Sequence, residues 1–399
     1  MGSESSIGGG RVVSLDILRG LTMLVMIFVN DLAEIHGLPW WTYHMPPGVN
    51  GMTYVDVVFP CFLFILGMAI PLAVRKRLEA GDSMPRLWWH ILLRTFALVV
   101  LGLVLANVSK VDRVLTGMPP GAWGSFALLG AILLWNVYPK SPDRKLIYSV
   151  LKYAGLLLLV IMVALFRRTT KDGHAAWLDF GYWEILGLIA RAYLAACLLY
   201  IPLRRKPWAP ILLLLGLTAL SIASRLGWTG FLHRIPYALW PFDSGELPSI
   251  AMAGIVASTI FLDSSLAKTF KAKALWALGF AATLLIAGWI LLPLGLQKNA
   301  ATPSWCLFSS GIGVLLFLAL YWLADVRRVT GWGAILNPAG SNTLLTYLLP
   351  DLFYFIASLF VFTLPWGSGG LGAVRSAIFT LAILSLSGLL TRLRVRLQL

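Results

Sequence analysis

Apolar runs of about twenty residues recur along the whole chain, each long enough to cross a hydrocarbon core of about 30 Å as a helix. No water in such a core satisfies backbone N–H and C=O groups, so only α-helices or a closed β-barrel can span it. Barrel strands would alternate apolar and polar positions over roughly ten residues, whereas the runs here are continuous. The expected fold class is all-α, a polytopic integral membrane helical bundle. About twelve spans (10–12) are expected, near 13–30, 54–74, 88–108, 121–138, 146–166, 183–203, 208–226, 248–266, 274–294, 305–325, 341–363 and 372–391. No internal repeat is evident. The chain reads as a single transmembrane domain over 1–399, with a flexible tail over 1–10.

Composition narrows the function classes. Of the 399 residues 59% are hydrophobic and 12% are charged, about half the charged fraction of a soluble domain. Mean hydropathy is +0.82. The formal charge of +15 does not indicate a nucleic-acid partner, because the basic residues sit in short clusters between apolar runs. Cys61, Cys197 and Cys306 lie in or beside those runs and read as small buried hydrophobes, neither a disulfide framework nor a metal site. The start, "MGSESSIGGG", has no basic segment ahead of an apolar one, so no cleaved signal is expected. It fits the loose M-G-x-x-x-S myristoylation pattern, which adds little to a chain anchored by many helices. No P-loop, GxSxG, HExxH or CxxC pattern occurs, which argues against nucleotide hydrolysis, serine hydrolysis and zinc chemistry.

Alternate connections differ in charge. One set, from Arg11 through the clusters at 75–86, 140–145, 204–206, 268–273, 327–328 and 392–396, carries about 19 Lys and Arg, against about 8 in the other set. The positive-inside rule puts both termini in the cytoplasm. Segment 31–53 then faces away from it, contains no Lys or Arg, and carries Trp40 and Trp41 where an interfacial aromatic belt belongs.

That segment holds the densest candidate chemistry, "YHMPPGVNGMTYVD". Pro46, Pro47 and Gly48 break any helix and impose a turn. His44 is the one base of its stretch with a pKa near neutrality. Thr53-x-x-Asp56 opens the second span as a capping box would. Asp56 is also within reach of His44, where a carboxylate would orient the imidazole and hold its tautomer for acid–base work. The bland alternative is a wet interfacial histidine above an ordinary cap. Asn30, at the end of the first span, has an amide that can donate to an oxyanion; its alternative is a plain helix terminus, as for Asp31. Asp16 and Arg19 share a helix face, and an ion pair is favoured over a phosphate contact. Arg191 lies inside an apolar run and is expected to face the bundle interior or a cavity. Further polar clusters are "FDSGELPSI" with Asp243-x-x-Glu246, a second candidate capping box; "QKNAATPSW" with Lys298 and Asn299; and "NPAGSNTLLTY" with Asn342 and Thr346.

Taken together, "RVVSLDILRGLTMLVMIFVND" and "HMPPGVNGMTYVDVVFPCFLFILGMAIPL" resemble the opening of the heparan-α-glucosaminide N-acetyltransferase family. The family pattern runs S-L-D-x-x-R-G, V-N, then H-x-x-W-N-G-L-T-x-x-D-x-V-F-P. "FDSGELPSIAMAGIVAS", "QKNAATPSWCLFSSG" and "NPAGSNTLLTYLL" are similar to its later stretches, in order. The resemblance implies transfer of an acetyl group from cytoplasmic acetyl-CoA to the amine of a terminal amino sugar across a membrane, here a bacterial inner membrane. It implies catalytic roles for His44, Asp56 and Asn30; Arg19, Asn50, Arg191, Asp243, Lys298, Asn299 and Asn342 are the candidate substrate- or cofactor-binding residues. No metal is implied, and a homodimer is left open. His44 and Asn50 stand two residues further apart than in the family pattern, the tryptophan is missing, and spans 121–138 and 146–166 form an additional hairpin. An O-acyltransferase acting on a glycan hydroxyl needs the same base, and a sugar or solute transporter would use the polar clusters as a path.

The orientation is testable on a background with the native cysteines replaced. Ser5→Cys is expected to be protected from an impermeant thiol reagent in intact cells, and Val49→Cys to react. The reverse pattern would put His44 on the cytoplasmic side.

Overall fold

A computed structural model describes residues 12–235, 240–262, 267–360 and 365–399. The expected tail over 1–10 and Arg11 lie outside the described residues, as do 263–266 and 361–363 of the expected spans. The helices are α1 (Val13–Leu32), α2 (Val55–Glu79), α3 (Met84–Val108), the single turn α4 (Arg113–Thr116), α5 (Pro120–Trp135), α6 (Lys145–Leu165) and α7 (Glu184–Leu203). They continue with α8 (Ala209–Arg225), α9 (Glu246–Leu262), α10 (Phe270–Ile290), α11 (Pro303–Tyr321), the short α12 (Asn337–Ser341), α13 (Thr343–Ala357) and α14 (Gly369–Arg392). The sheet among the described residues is one antiparallel pair, Arg168–Thr169 with Ala175–Ala176. The protein is thus a polytopic helical membrane protein.

Each expected span coincides with a helix, but the helices are not equivalent. Among the described residues, eight are long and apolar enough to cross a membrane. α5, α8, α9 and α13 have 16, 17, 17 and 15 residues, about 23–26 Å at 1.5 Å per residue, and fall short of a full core. In α9 the reason is position: it is buried nearly all round, from Pro248 to Phe261, so its neighbours are helices more than lipid.

The bundle tightens around α9 because glycines replace side chains where backbones meet. A Cβ on Gly67 of α2 would sit 1.8 Å from the Ala251 carbonyl oxygen, and one on Gly254 of α9 would sit 2.1 Å from that of Phe64. Small residues at such crossings are how membrane helices gain dispersion contact without a hydrophobic drive. α5 and α6 pair in the same way through Gly130 and Gly155. α6 buries little beyond Gly155, Leu159 and Met162, leaving the hairpin on the outside.

Backbone bonds sort the connections into two ends. At one end the α1–α2 connection meets the α10–α11 connection through Gly51 N–H to Leu296 O at 2.8 Å, and the α13–α14 connection through His36 N–H to Gly367 O at 3.1 Å. Arg225, at the end of α8, donates from Nε to Leu294 O at 2.9 Å. At the other end Val13 and Ser14 donate their N–H groups to Asp325 at 3.3 and 3.1 Å, satisfying donors that a helix start leaves open. The C-terminal segment folds back there: Val137 N–H donates to Arg396 O at 2.8 Å, and Asn342 holds Val395 and Leu397. The start of α1 and the last residues therefore share one end, and His44 lies at the other.

Gly67→Val is expected to lower stability by about 3 kcal/mol or more, since neither backbone can retreat without parting α2 from α9. Thermal unfolding of the purified variant against wild type measures this. An unchanged midpoint would mean that the crossing is not tight.

Candidate active site

The site is built from the loop between α1 and α2. Val49 N–H donates to Pro46 O at 3.1 Å, closing the turn that the two prolines and Gly48, at φ 82°, set up. The turn brings the chain back so that His44 overhangs the first turn of α2. There Asp56 is fully buried, and four donors face its carboxylate. His44 Nδ1 lies 2.8 Å from Oδ1. Met45 N–H and Thr53 N–H donate to Oδ2 at 3.2 and 3.0 Å. The Thr53 hydroxyl lies 3.3 Å from Oδ2 but donates at 2.8 Å to Tyr43 O, and one proton makes the shorter bond. Half of the expected capping box is therefore formed, with the carboxylate reaching back to Thr53 N–H. The same carboxylate orients the histidine, so both readings of Asp56 hold.

A carboxylate that accepts from Nδ1 fixes the proton on that nitrogen and leaves the lone pair on Nε2. Lys298 Nζ lies 3.1 Å from both ring nitrogens. Nδ1 is committed to Asp56, and a nitrogen equidistant from both ring nitrogens stands against the ring face, off the in-plane lone pair of Nε2. The His44 side chain is 40% exposed and that of Asp56 is 0% exposed, a buried orienting group beneath an accessible base.

Lys298 arrives from the α10–α11 connection, 254 positions away. Asn50 Oδ1 accepts from Leu296 N–H at 3.2 Å and from Gln297 Nε2 at 3.1 Å. Gln297 N–H in turn donates to Thr302 Oγ1 at 3.0 Å. Gly295 makes the close approach at φ 98°, where a Cβ would stand 3.2 Å from Asn50 Oδ1. Below, Trp305 in the first turn of α11 donates from Nε1 to the Asp56 carbonyl at 3.2 Å. Burial lowers the Lys298 pKa from the ordinary lysine value, and the Asp56 charge offsets part of that.

The structure thus brings together His44, Asp56, Asn50 and Lys298. Asn30 is exposed at the end of α1, and among the described residues no hydrogen bond links it to His44 or Asp56. Its neighbour Asp31 is no plain helix terminus: it is buried, accepts from Tyr354 and Ser376, and lies 3.5 Å from Arg375. Asn299 is exposed beside Lys298. Arg191 pairs with Asp243 at 2.7 Å and stacks over the Trp183 ring at 5.4 Å. The Asp243 carboxylate is therefore spent on Arg191, not on a capping box with Glu246. Arg19 pairs with Asp16 at 3.1 Å and donates to Gly340 O at 3.2 Å, the favoured reading of that pair. Asn342 lies at the opposite end and is a structural clip: it donates to Thr391 Oγ1 at 2.8 Å and to Val395 O at 2.9 Å, and accepts from Leu397 N–H at 3.1 Å. The three cysteines are free and buried. Sequence reasoning missed the Lys298–His44 contact and the Tyr354, Ser376 and Arg375 partners of Asp31. No spacing signal marks either set, since the partners lie hundreds of positions apart.

The lowered Lys298 pKa gives a pH signature. The unfolded chain keeps its lysine proton to higher pH than the folded one, so stability rises as pH climbs from the lowered folded value toward the ordinary value of 10.5. Lys298→Met removes that rise. Thermal midpoints of both proteins between pH 7 and pH 10 are expected to converge as pH increases, with the variant the more stable at pH 7. Parallel curves would refute the burial cost.

Comparison with known proteins bears on the family of the chain. Residues 11–247, more than half of the chain, match the family described as "Domain of unknown function (DUF5009)". The chain is also similar to heparan-alpha-glucosaminide N-acetyltransferase of Homo sapiens, with 37% identity over 97 residues, and to that of Mus musculus, with 36% over 97 residues. Each match covers 24% of this chain and 14% of the relative's length, a small part of those proteins. The chain belongs to the DUF5009 family, a family of heparan-α-glucosaminide N-acetyltransferase-like membrane proteins.

Proposed function

We propose that the protein is a transmembrane acetyltransferase that takes an acetyl group from acetyl-CoA on the cytoplasmic side and places it on the amine of an amino sugar on the other side. The observation that carries the reading is the His44–Asp56 pair: a buried carboxylate 2.8 Å from Nδ1 and a lone pair on Nε2 at an accessible surface. Nε2 takes a proton from the acceptor nitrogen as that nitrogen attacks the thioester carbonyl. The C–N bond forms, the C–S bond breaks, and the thiolate leaves to be protonated. Lys298, whose Nζ stands 3.1 Å from Nε2, is the cation next to the reacting carbonyl and takes the oxyanion role that the sequence suggested for Asn30. Asn50 is a positioning residue, since it clasps the segment that carries Lys298.

Acetyl-CoA is the donor substrate in this reading. A cavity of about 520 Å³ between α2, α7 and α9, at the end away from His44, has Arg75, Arg204 and Tyr200 in its wall, donors suited to phosphates once Arg75 leaves the Glu79 carboxylate that stands 3.9 Å from it in the same wall. The proposed setting is a bacterial inner membrane with segment 31–53 on the non-cytoplasmic side; the Lys and Arg asymmetry supports that orientation.

Purified protein is to be incubated with labelled acetyl-CoA and a panel of amino sugars, sugar alcohols and oligosaccharides. Label on an amine is the expected outcome; label on hydroxyls alone would make the protein an O-acyltransferase, and no transfer would favour a carrier. His44→Ala is expected to cost on the order of a hundredfold to ten-thousandfold in rate. Asp56→Asn is expected to cost nearly as much, because an amide NH₂ facing Nδ1 forces the proton onto Nε2 and removes the base. Full activity in Asp56→Asn would leave the aspartate as a cap only.

A further inference from the structure

The α5–α6 hairpin encloses a feature that the acyl-transfer site does not use. A cleft of about 1010 Å³ opens between the start of α3, the end of α5, the start of α6 and the C-terminal segment, at the end away from His44. Lys140, Lys145 and Lys152 all line it, and no Asp or Glu side chain does. None of the three makes a side-chain hydrogen bond or an ion pair among the described residues. Tyr148 and Ser149 lie on the same face of α6 as Lys145 and Lys152, and the Tyr148 ring stacks on Tyr138 at 5.2 Å. Backbone donors of the C-terminal segment hold the floor, with Arg396 N–H donating to the side-chain Oδ1 of Asn136 at 2.8 Å and Gln398 N–H donating to Trp135 O at 3.1 Å.

We propose that this cleft binds the phosphate headgroup of an anionic phospholipid. Two features favour a lipid over a soluble phosphate. The cleft continues along α3 past Leu93 and Phe96, which are apolar, exposed and cleft-lining. These residues lie 9 and 12 positions into α3, which begins at Met84, about 13–18 Å from its end at 1.5 Å per residue. By the same measure Lys140 and Lys145 stand just before and at the start of α6, and Lys152 about 10 Å into it, so the three lysines stand nearer the end of the bundle than the open apolar wall, in the order of a headgroup followed by acyl chains. Lysines near a membrane surface attract anionic lipid, and here three converge on one enclosed volume instead of being spread around the rim. The site gives the α5–α6 hairpin a role: it supplies two walls of the cleft and all three lysines.

The test uses the full-length protein in detergent, titrated with dioleoylphosphatidylglycerol or dioleoylphosphatidylcholine, and bound lipid is counted by native mass spectrometry. One phosphatidylglycerol is expected to be retained in preference to phosphatidylcholine. Each Lys→Gln change is expected to weaken it roughly fivefold, and K140Q/K145Q/K152Q on the order of a hundredfold. K140R/K145R/K152R keeps the charge and is expected to keep the preference, which guards against a misfolded triple variant. K268Q/K271Q, at exposed positions of the same end, is the control and is expected to leave the preference unchanged. Equal retention of the two lipids, or an equal loss in the control, would overturn the proposal. CoA or inorganic phosphate that displaces the lipid at micromolar concentration would reassign the cleft to a soluble phosphate and overturn it as well. The readout is independent of acyl transfer, so its failure is distinct from failure of the catalytic reading.

Discussion

The buried carboxylate of Asp56 is the interaction on which this end of the protein depends. An ionised carboxylate taken out of water costs several kcal/mol unless donors replace the lost hydration. Here the donors come from three parts of the loop: a ring nitrogen of His44, and the backbone N–H groups of Met45 and Thr53. Each donor can reach the carboxylate only if residues 43–53 fold back over the start of α2, so satisfying one charge dictates the path of the loop. The same residue's carbonyl accepts from Trp305. One position thus ties the α1–α2 loop, the start of α2 and the start of α11. The orientation of His44 follows from that folding constraint, since the bond that repays the burial also holds the ring.

The rest of the site is tied to this anchor by polar clasps between connections. Asn50 and Gln297 join the two loops, and Lys298 is delivered to the imidazole edge as a result. Half-buried Lys298 near buried Asp56 balances the local charge, but across the histidine and not by direct pairing. Under the proposed reaction this is useful. The imidazolium that forms when Nε2 takes a proton is compensated by Asp56, and the lysine is left to face the developing oxyanion.

How much was legible in the sequence follows from the range of each interaction. The helices were legible because hydrophobic continuity over about twenty residues is a local property, and their bounds agree with the expected spans within a few residues. What continuity does not report is depth. α9 reads like any other apolar run, yet its length fits a central helix wrapped by others and not a full membrane crossing. Asp56 was legible because Thr53-x-x-Asp56 is a local signature with a mechanism. The Asp243-x-x-Glu246 pattern has the same spacing and failed, because Arg191 stands 2.7 Å from the Asp243 carboxylate and an ion pair outcompetes a cap. Asn342 read as a binding residue because a polar side chain in an apolar run invites function. Its three partners, up to 55 positions away, make it a clip for the C-terminal segment. Patterns of charge and turn chemistry therefore locate polar residues worth asking about, and only tertiary partners decide among their roles.

The packing around α9 also bears on how an acyl group would cross. α2 and α9 meet through glycines with carbonyl oxygens where a Cβ would stand, so the seam between them admits no additional chain. The Arg75–Arg204 cavity lies at one end of that seam and His44 lies at the other. A donor arm passing between α2 and α9 would have to part the tightest crossing in the core, and parting it would expose Phe64 and Ala251, both fully buried. Passage therefore needs either a route along another seam or a concerted opening coupled to donor binding. The base, by contrast, is exposed at rest, and an acetyl group parked on Nε2 would face water with nothing to exclude it. Under the proposed reaction, direct transfer within a ternary complex would meet both conditions: an opening coupled to donor binding would admit the thioester only while it is bound, and the acetyl group would never rest on an exposed imidazole.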